Sequence, residues 1–128
     1  MSAVSLTVNA LLEDAGIGAL VARRVVPYPI PLKMSLPAIA VAMNAEAETY
    51  LLAGASQYPE TSVQIHCIAT KAGEATDLGE AVKVALRDLH YTTGGADALF
   101  SKEPLDFTDF ADDLSTHRRV MSFAVRWR

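Results

Sequence analysis

Only a few residue types in this chain are equipped for chemistry, and their spacing limits what they can do. His66 and Cys67 are adjacent, as a thiol and its imidazole base would need to be close. Neighbours on a strand, however, point to opposite faces and cannot share a proton. Cys67 therefore reads as a buried structural thiol. His66, His90 and His117 show no HxH or HxxxH spacing, so they read as ordinary surface or interface histidines, with no metal and no cofactor. Gly16, Ile17 and Gly18 begin like a dinucleotide fingerprint, but they follow a helix and lack the third glycine, so the reading is a helix C-cap. Gly54, Ala55 and Ser56 begin like a nucleophile elbow, yet Tyr58 stands where the closing glycine belongs. No catalytic residue is assigned, and the chain is not expected to be an enzyme.

Charge is the more informative pattern. Asp97 to Asp113 carries six acids and one lysine, a balance of −5, and His117 to Arg128 carries four arginines and no acid, a balance of +4. Asp106, Asp109, Asp112 and Asp113 hold carboxylates close enough for acid–base or metal work, but with no histidine near them they read first as a solvated acidic face. Arg118, Arg119, Arg126 and Arg128 lie around Trp127, a mixture that can bind single-stranded nucleic acid. Trp127 is in phase with Met121, Phe123 and Val125, which places it with the core, so an arginine face for subunit contacts is preferred. The two blocks can pair within one chain or between copies.

The elements that must position these residues follow from periodicity. Val4, Val8, Leu11, Leu12 and Ala15 form one helical stripe, predicting a helix over Ala3 to Ala15. Ile17 to Val26 suits a helical turn or a strand, with a strand favoured from Arg24. Pro27, Pro29, Pro31 and Pro37 then make a stiff extended connector, because each fixes φ and removes a donor. From Ala38, a strand sets Ile39, Val41 and Met43 on one face and Ala38, Ala40 and Ala42 on the other. The alanine row permits close approach by the chain's own helix or by another subunit. Tyr50 to Ala53 is a weaker strand candidate and Gly54 to Thr61 a loop. Ser62 to Thr70 is a strand with Val63, Ile65, Cys67 and Ala69 inward. Ala75, Leu78, Ala81, Val82, Ala85, Leu86 and Leu89 are the apolar face of a long helix. Thr92 to Lys102 reads as a mobile loop, the acidic run as a short approach, and Val120 to Trp127 as the closing strand. The fold class is α+β, a mainly antiparallel sheet with two helices on one face in the order α-β-β-β-α-β, as one domain over residues 1–128.

Composition bounds the rest. At 51% hydrophobic and 20% charged residues, 128 residues build a packed core rather than a disordered tail. A single cysteine excludes an internal disulfide. The start meets Glu13 and Asp14 too early for a signal peptide, and Leu36 to Ala45 spans about half the ~20 apolar residues of a membrane helix, so no membrane is expected. The formal charge of −4 argues against general nucleic-acid binding.

With these elements in order, three stretches carry a resemblance: RRVVPYPIPLKMSLPAIAVAM, TSVQIHCIATKAGEATDLGEAVKVAL and DFADDLSTHRRVMSFAVRWR. In layout and in these stretches the chain resembles the tail-terminator, or tail-completion, family of long-tailed bacteriophages. The resemblance implies a structural virion protein that assembles as a homo-hexameric ring on the tail tube protein, stops tube growth and meets the connector proteins of the head's neck. DNA would pass through the ring without sequence recognition. It also implies a location at the tail end of the virion, after assembly in the host cytoplasm. On that reading Asp106, Asp109, Asp112 and Asp113 face either the lumen or solvent. Arg118, Arg119, Arg126 and Arg128, with Ala38, Ala40 and Ala42, face a neighbouring subunit or tail protein. A head-closure or neck adaptor subunit is the alternative within that class, and a small enzyme or regulatory domain without a recognisable site is the alternative outside it.

Overall fold

The computed structural model describes every residue except 1, 32, 48, 49, 52, 53 and 56–59. Helix α1 (Ala3–Glu13) begins in a reciprocal cap: the Ser2 hydroxyl accepts the Ser5 N–H at 3.1 Å, and the Ser5 hydroxyl accepts the Ser2 N–H at 2.9 Å. A single helix through Ala15 with a stop at Gly16 is what periodicity predicts. Instead the chain bends by 86° at Asp14 and continues as α2 (Ala15–Val21). The cause is Asp14, whose carboxylate accepts the Ile17 N–H at 3.0 Å and so starts a new helix. The bend drives Ile17 and Val21 into the core, where both are fully buried. Gly16 thus lies in the first turn of α2 and is not a C-cap.

Six strands form the main sheet in the order β1-β2-β5-β8-β7-β6. They are β1 (Val25–Pro27), β2 (Ala38–Ala47), β5 (Glu60–Ala69), β6 (His90–Thr93), β7 (Ala96–Phe110) and β8 (His117–Trp127). A ribbon of β3 (Tyr50–Leu51) and β4 (Gly54–Ala55) stands apart from that sheet. Among the described residues only the β1–β2 pair is parallel. The long helix is α3 (Ala72–Leu86). The α+β class and the mostly antiparallel sheet agree with expectation. The element order does not, because the described residues form three helices and place two unforeseen strands, β6 and β7, after α3.

Two corrections follow from backbone chemistry. Thr92 to Lys102 is a hairpin rather than a loop: Gly94 and Gly95 take φ of 51° and 83°, a pair of left-handed values that lets two residues join Thr93 to its partner Ala96. The acidic run from Asp97 is mostly strand, since β7 pairs with β8 from Ala98↔Trp127 to Phe110↔His117, interrupted by a bulge between Lys102 and Asp106. Pro104 sits in that bulge, where its missing N–H costs no ladder bond. Of the weaker strand over Tyr50 to Ala53, the structure describes Tyr50–Leu51, and residues 52 and 53 lie outside the described residues. The Gly54 to Thr61 loop is cut the same way, with β4 and the start of β5 described.

Odd-numbered residues of the central strands face the helices. Ile39, Val41, Val63, Ile65, Cys67, Met121, Phe123 and Val125 share one buried cluster with Leu6, Leu11, Ile17, Val21, Leu78, Val82 and Leu86. Each large side chain buried there contributes roughly 1.5–3 kcal/mol. Trp127 packs against this cluster and donates its indole N–H to Thr61 Oγ1 at 2.9 Å, as its phase predicts.

On the other face, Ala38 and Ala40 are already fully buried. Their cover comes from the chain itself, through the proline-studded strap between β1 and β2. The Tyr28 ring stands 5.1 Å from the ring of His66, the register partner of Ala40. Arg24 Nε donates to the Pro37 carbonyl at 2.9 Å, and the Tyr28 N–H donates to Val41 at 2.9 Å. The expectation that Ala38 and Ala40 present a close-packing face to another subunit is therefore corrected, and only Ala42 keeps partial exposure. Replacing Asp14 by Ala removes the cap on which α2 depends. Urea unfolding should register a loss of about 1 kcal/mol, and an unchanged midpoint would refute this account of the bend.

Candidate functional site

The two charged blocks become facing strands of one hairpin. The register sets Asp109 directly opposite Arg118 and places Asp106, opposite Met121, diagonal to Arg119, two favourable cross-strand arrangements of opposite charge. Arg118 Nε donates to Asp109 Oδ1 at 2.8 Å while its Nη2 donates to Oδ2, forming a two-pronged pair. Its other terminal nitrogen stands 3.3 Å from His66 Nδ1. Burial first, and then the Arg118 charge, hold the His66 imidazole below its ordinary pKa, and its ring packs at a tilt of 36° against Tyr28.

Arg119 projects to the helix side. It donates to both carboxylate oxygens of Asp106, each at 2.9 Å, to the Thr76 carbonyl at 3.1 Å, and to Glu80 Oε1 at 2.9 Å. With its side chain only 9% exposed, this guanidinium ties α3 to the hairpin. Gly79 leaves room for it: a Cβ at that position would overlap Arg119 Cδ and stand 2.9 Å from Nε. Lys102 closes the bulge, donating to the carbonyls of Glu103 and Leu105 and lying over the Phe123 ring at 5.9 Å. Within the bulge, on the opposite face, Glu103 Oε1 accepts from Ser62 at 2.6 Å and from Ser122 at 3.0 Å. The bulge is thus anchored on both faces of the sheet.

The four acids divide accordingly. Asp106 and Asp109 are neutralised within the chain, while Asp112 and Asp113 sit exposed on the turn joining β7 to β8, with the Asp113 carboxylate accepting the Ser115 N–H at 3.0 Å. The arginines divide as well. Arg118 and Arg119 meet acids of their own chain, Asp109 and Asp106. Arg126 is largely exposed and lies 3.5 Å from Glu60. Arg128 exchanges backbone hydrogen bonds with Asp97 at the far end of the hairpin. Sequence reasoning missed Glu80, Gly79 and Lys102. The available signal was two blocks of opposite charge joined by DDLST, a hairpin-length connection.

The remaining chemistry is inert. Burial pushes the Cys67 thiol up to about 12, so it carries no thiolate at neutral pH, and His66 lies on the opposite face of β5. Among the described residues, no three His, Cys, Asp or Glu side chains gather in a way that could hold a metal ion. What the hairpin does present is apolar. Leu105, Phe107, Phe110 and Leu114 are 39%, 42%, 62% and 60% exposed, all within its distal half.

A family model described as Tail completion protein gp17 matches residues 7–128. No curated protein matches. Among solved structures, a chain of the virion of a native gene transfer agent (GTA) particle superposes with a TM-score of 0.76 at 19% identity, over 98% of this chain and 94% of that one. At that identity the likeness is one of fold.

Two predictions follow. Arg119 and Arg118 hold the Asp106 and Asp109 carboxyls below their ordinary pKa of 3.8, chiefly through the side-chain hydrogen bonds. Depressed acids stabilise the fold fully above the ordinary value, and that stabilisation disappears as pH falls through the lowered one. Denaturant melts should therefore show stability falling below about pH 4, and the Asp106→Asn, Asp109→Asn double variant should be weaker at pH 7 with a shallower acid slope. Equal slopes would remove the pairs from the account. Gly79→Ala should destabilise by about 1–2 kcal/mol despite the better helix propensity of alanine, because Arg119 is pinned and cannot move aside. A gain in stability would show that the guanidinium is free to shift.

Proposed function

Because this chain belongs to the family of Tail completion protein gp17, we propose that it is the ring-forming tail terminator of a phage-like particle. The coarse statement is direct: it is a structural protein of a virion tail. The finer reading is that copies assemble as a homo-hexameric ring on the end of the tail tube, stop its polymerisation and offer a docking surface to the head's neck proteins. The observation that carries this reading is the family match across residues 7–128, on a fold shared along nearly the whole chain with a component of a virion particle.

The chemistry of the hairpin supports the same reading. A terminator must bind protein at two ends and let DNA pass. Exposed apolar side chains on a rigid hairpin suit the first task. For the second, Asp112 and Asp113 are carboxylates left over after Asp106 and Asp109 are neutralised. Placed toward a lumen, they repel phosphates and let the genome slide. Arg126 and Arg128 are the exposed members of the four arginines and the basic candidates for a contact with a neighbouring subunit or tail protein.

Silencing the gene in the producing strain separates the readings. A terminator predicts overlong tails detached from heads by electron microscopy, whereas a neck adaptor predicts unjoined tails of normal length. Joined particles with normal tails would refute both. Asp112→Asn with Asp113→Asn should leave tail length unchanged and alter genome retention or ejection; wild-type retention and ejection would rule out a lumen role for these acids.

A further inference from the structure

The sheet has a stepped outline that the ring reading leaves unexplained. Among the described residues, its short edge strands each cover only part of their neighbour. On one side β1 pairs with β2 only along Ile39–Val41, leaving β2 from Ala42 onward bound on the β5 side alone. On the other side β6 pairs with β7 only along Ala96–Leu99, leaving β7 beyond its bulge bound on the β8 side alone. The free halves are at opposite ends of the sheet, because β2 and β7 run antiparallel to one another and each is open toward its C-terminal end.

The direction of the backbone groups follows from the ladder. Asp97 and Ala111 bond to β8, and the Phe100 N–H donates to Leu89 on the opposite side, so even-numbered residues of β7 point away from β8. The N–H and C=O groups of Asp106, Thr108 and Phe110 therefore form an open edge. On β2, the Val41 carbonyl accepts from Tyr28 and the Ile39 N–H donates to Arg24, so odd-numbered residues point outward and Met43 is the first open one. Phe110 and Met43 are 62% and 60% exposed.

We infer that the ring closes by edge-to-edge strand pairing, with the distal half of β7 in one copy docking antiparallel on the free half of β2 in the next. The inference rests on the ring reading above and names its contact. β1 cannot substitute as the receiving edge, because the Val25 N–H is spent on Arg23 and Pro27 has none. Pairing of β7 with β7 of a second copy would join two identical edges and so give a two-fold pair that cannot continue head to tail. Pairing with β2 puts Phe110 beside Met43, an aromatic–thioether contact, and joins two different edges, as head-to-tail closure requires.

The offset between the two edges fits a closed ring. Phe110 is level with His117, His117 with Ala69, and Ala69 lies one step past Ile68↔Ala38, so Phe110 is level with Pro37 in its own sheet. Bringing Phe110 to Met43 of a neighbour shifts that neighbour by about six residues, or about 20 Å, across a repeat of four full strands about 19 Å wide. The resulting strand tilt, about 45°, is at the upper end of that found when sheets close on themselves. In that arrangement β1 fills the space below the neighbour's hairpin, and the neighbour's β6 lies above the end of β2, which accounts for the shortness of both.

Met43→Cys combined with Phe110→Cys tests the contact. Within one chain these positions are more than about 20 Å apart across the sheet, far beyond disulfide reach, and Cys67 is buried. Oxidising rings isolated from solution or from tail ends should give a covalent ladder of multimers on denaturing gels, with neither single variant giving more than a dimer. Thr108→Pro, which deletes one outward N–H at an exposed position, should keep the monomer's circular dichroism and lose rings. Rings that form normally in Thr108→Pro, or rings of the double cysteine variant that give no ladder, overturn the inference and leave the terminator reading standing. If the wild-type protein forms no ring on tails or in solution, the terminator reading falls and this inference with it.

Discussion

The pairing of two adjacent arginines with two acids of the next strand is the interaction on which the rest of this structure depends. A strand as acidic as distal β7 has little reason to lie against a sheet. It does so because Arg118 and Arg119 each take one carboxylate, on opposite faces of β8. Arg119 also reaches Thr76 and Glu80, so the contact that seats β7 also fixes α3 over the core. An arginine this buried, with its donors occupied, specifies a geometry more than it adds net stability, since desolvation offsets much of the ionic gain. What it specifies is a hairpin with one paired side and one open side.

That division explains how the charge of the chain is used. Within the two charged blocks, Asp109 and Asp106 are taken by Arg118 and Arg119, with Arg119 also taking Glu80, while Asp112 and Asp113 stay exposed at the turn and Arg126 and Arg128 toward the opposite end of β8. The apolar side chains Leu105, Phe107, Phe110 and Leu114 of the same hairpin stay exposed outside the core. A subunit that works only in company would have this character, stable in its own core and incomplete at its edges.

Much of this was legible in the residues, and the exceptions have physical causes. α3, β5 and β8 are long elements whose apolar residues keep one period, and burial of Cys67 and Trp127 follows from phase alone. The break between α1 and α2 was hidden because Asp14 sits inside an otherwise continuous apolar stripe, and its capping role depends on a turn that periodicity does not register. The alanine row correctly announced close packing. It did not identify the partner, since contact between the strap at Tyr28 and the sheet at His66 is tertiary. β7 was hidden most completely, because its strand character comes from cross-strand charge pairing and a proline-bearing bulge. Neither produces the alternation of apolar and polar residues by which strands are recognised.

The most direct test of the central claim is amide hydrogen exchange in the free protein, resolved residue by residue by NMR at neutral pH. If the arginine pairs seat distal β7 on β8 and leave its other side open, protection should alternate. The amides of Phe107, Asp109 and Ala111, which face β8, should exchange slowly, and those of Asp106, Thr108 and Phe110 should exchange fast. Uniformly rapid exchange from Asp106 to Ala111 would contradict the account, because the hairpin would then not be held by its charges. Uniformly slow exchange in a monomer would contradict it equally, by showing that the edge is not open.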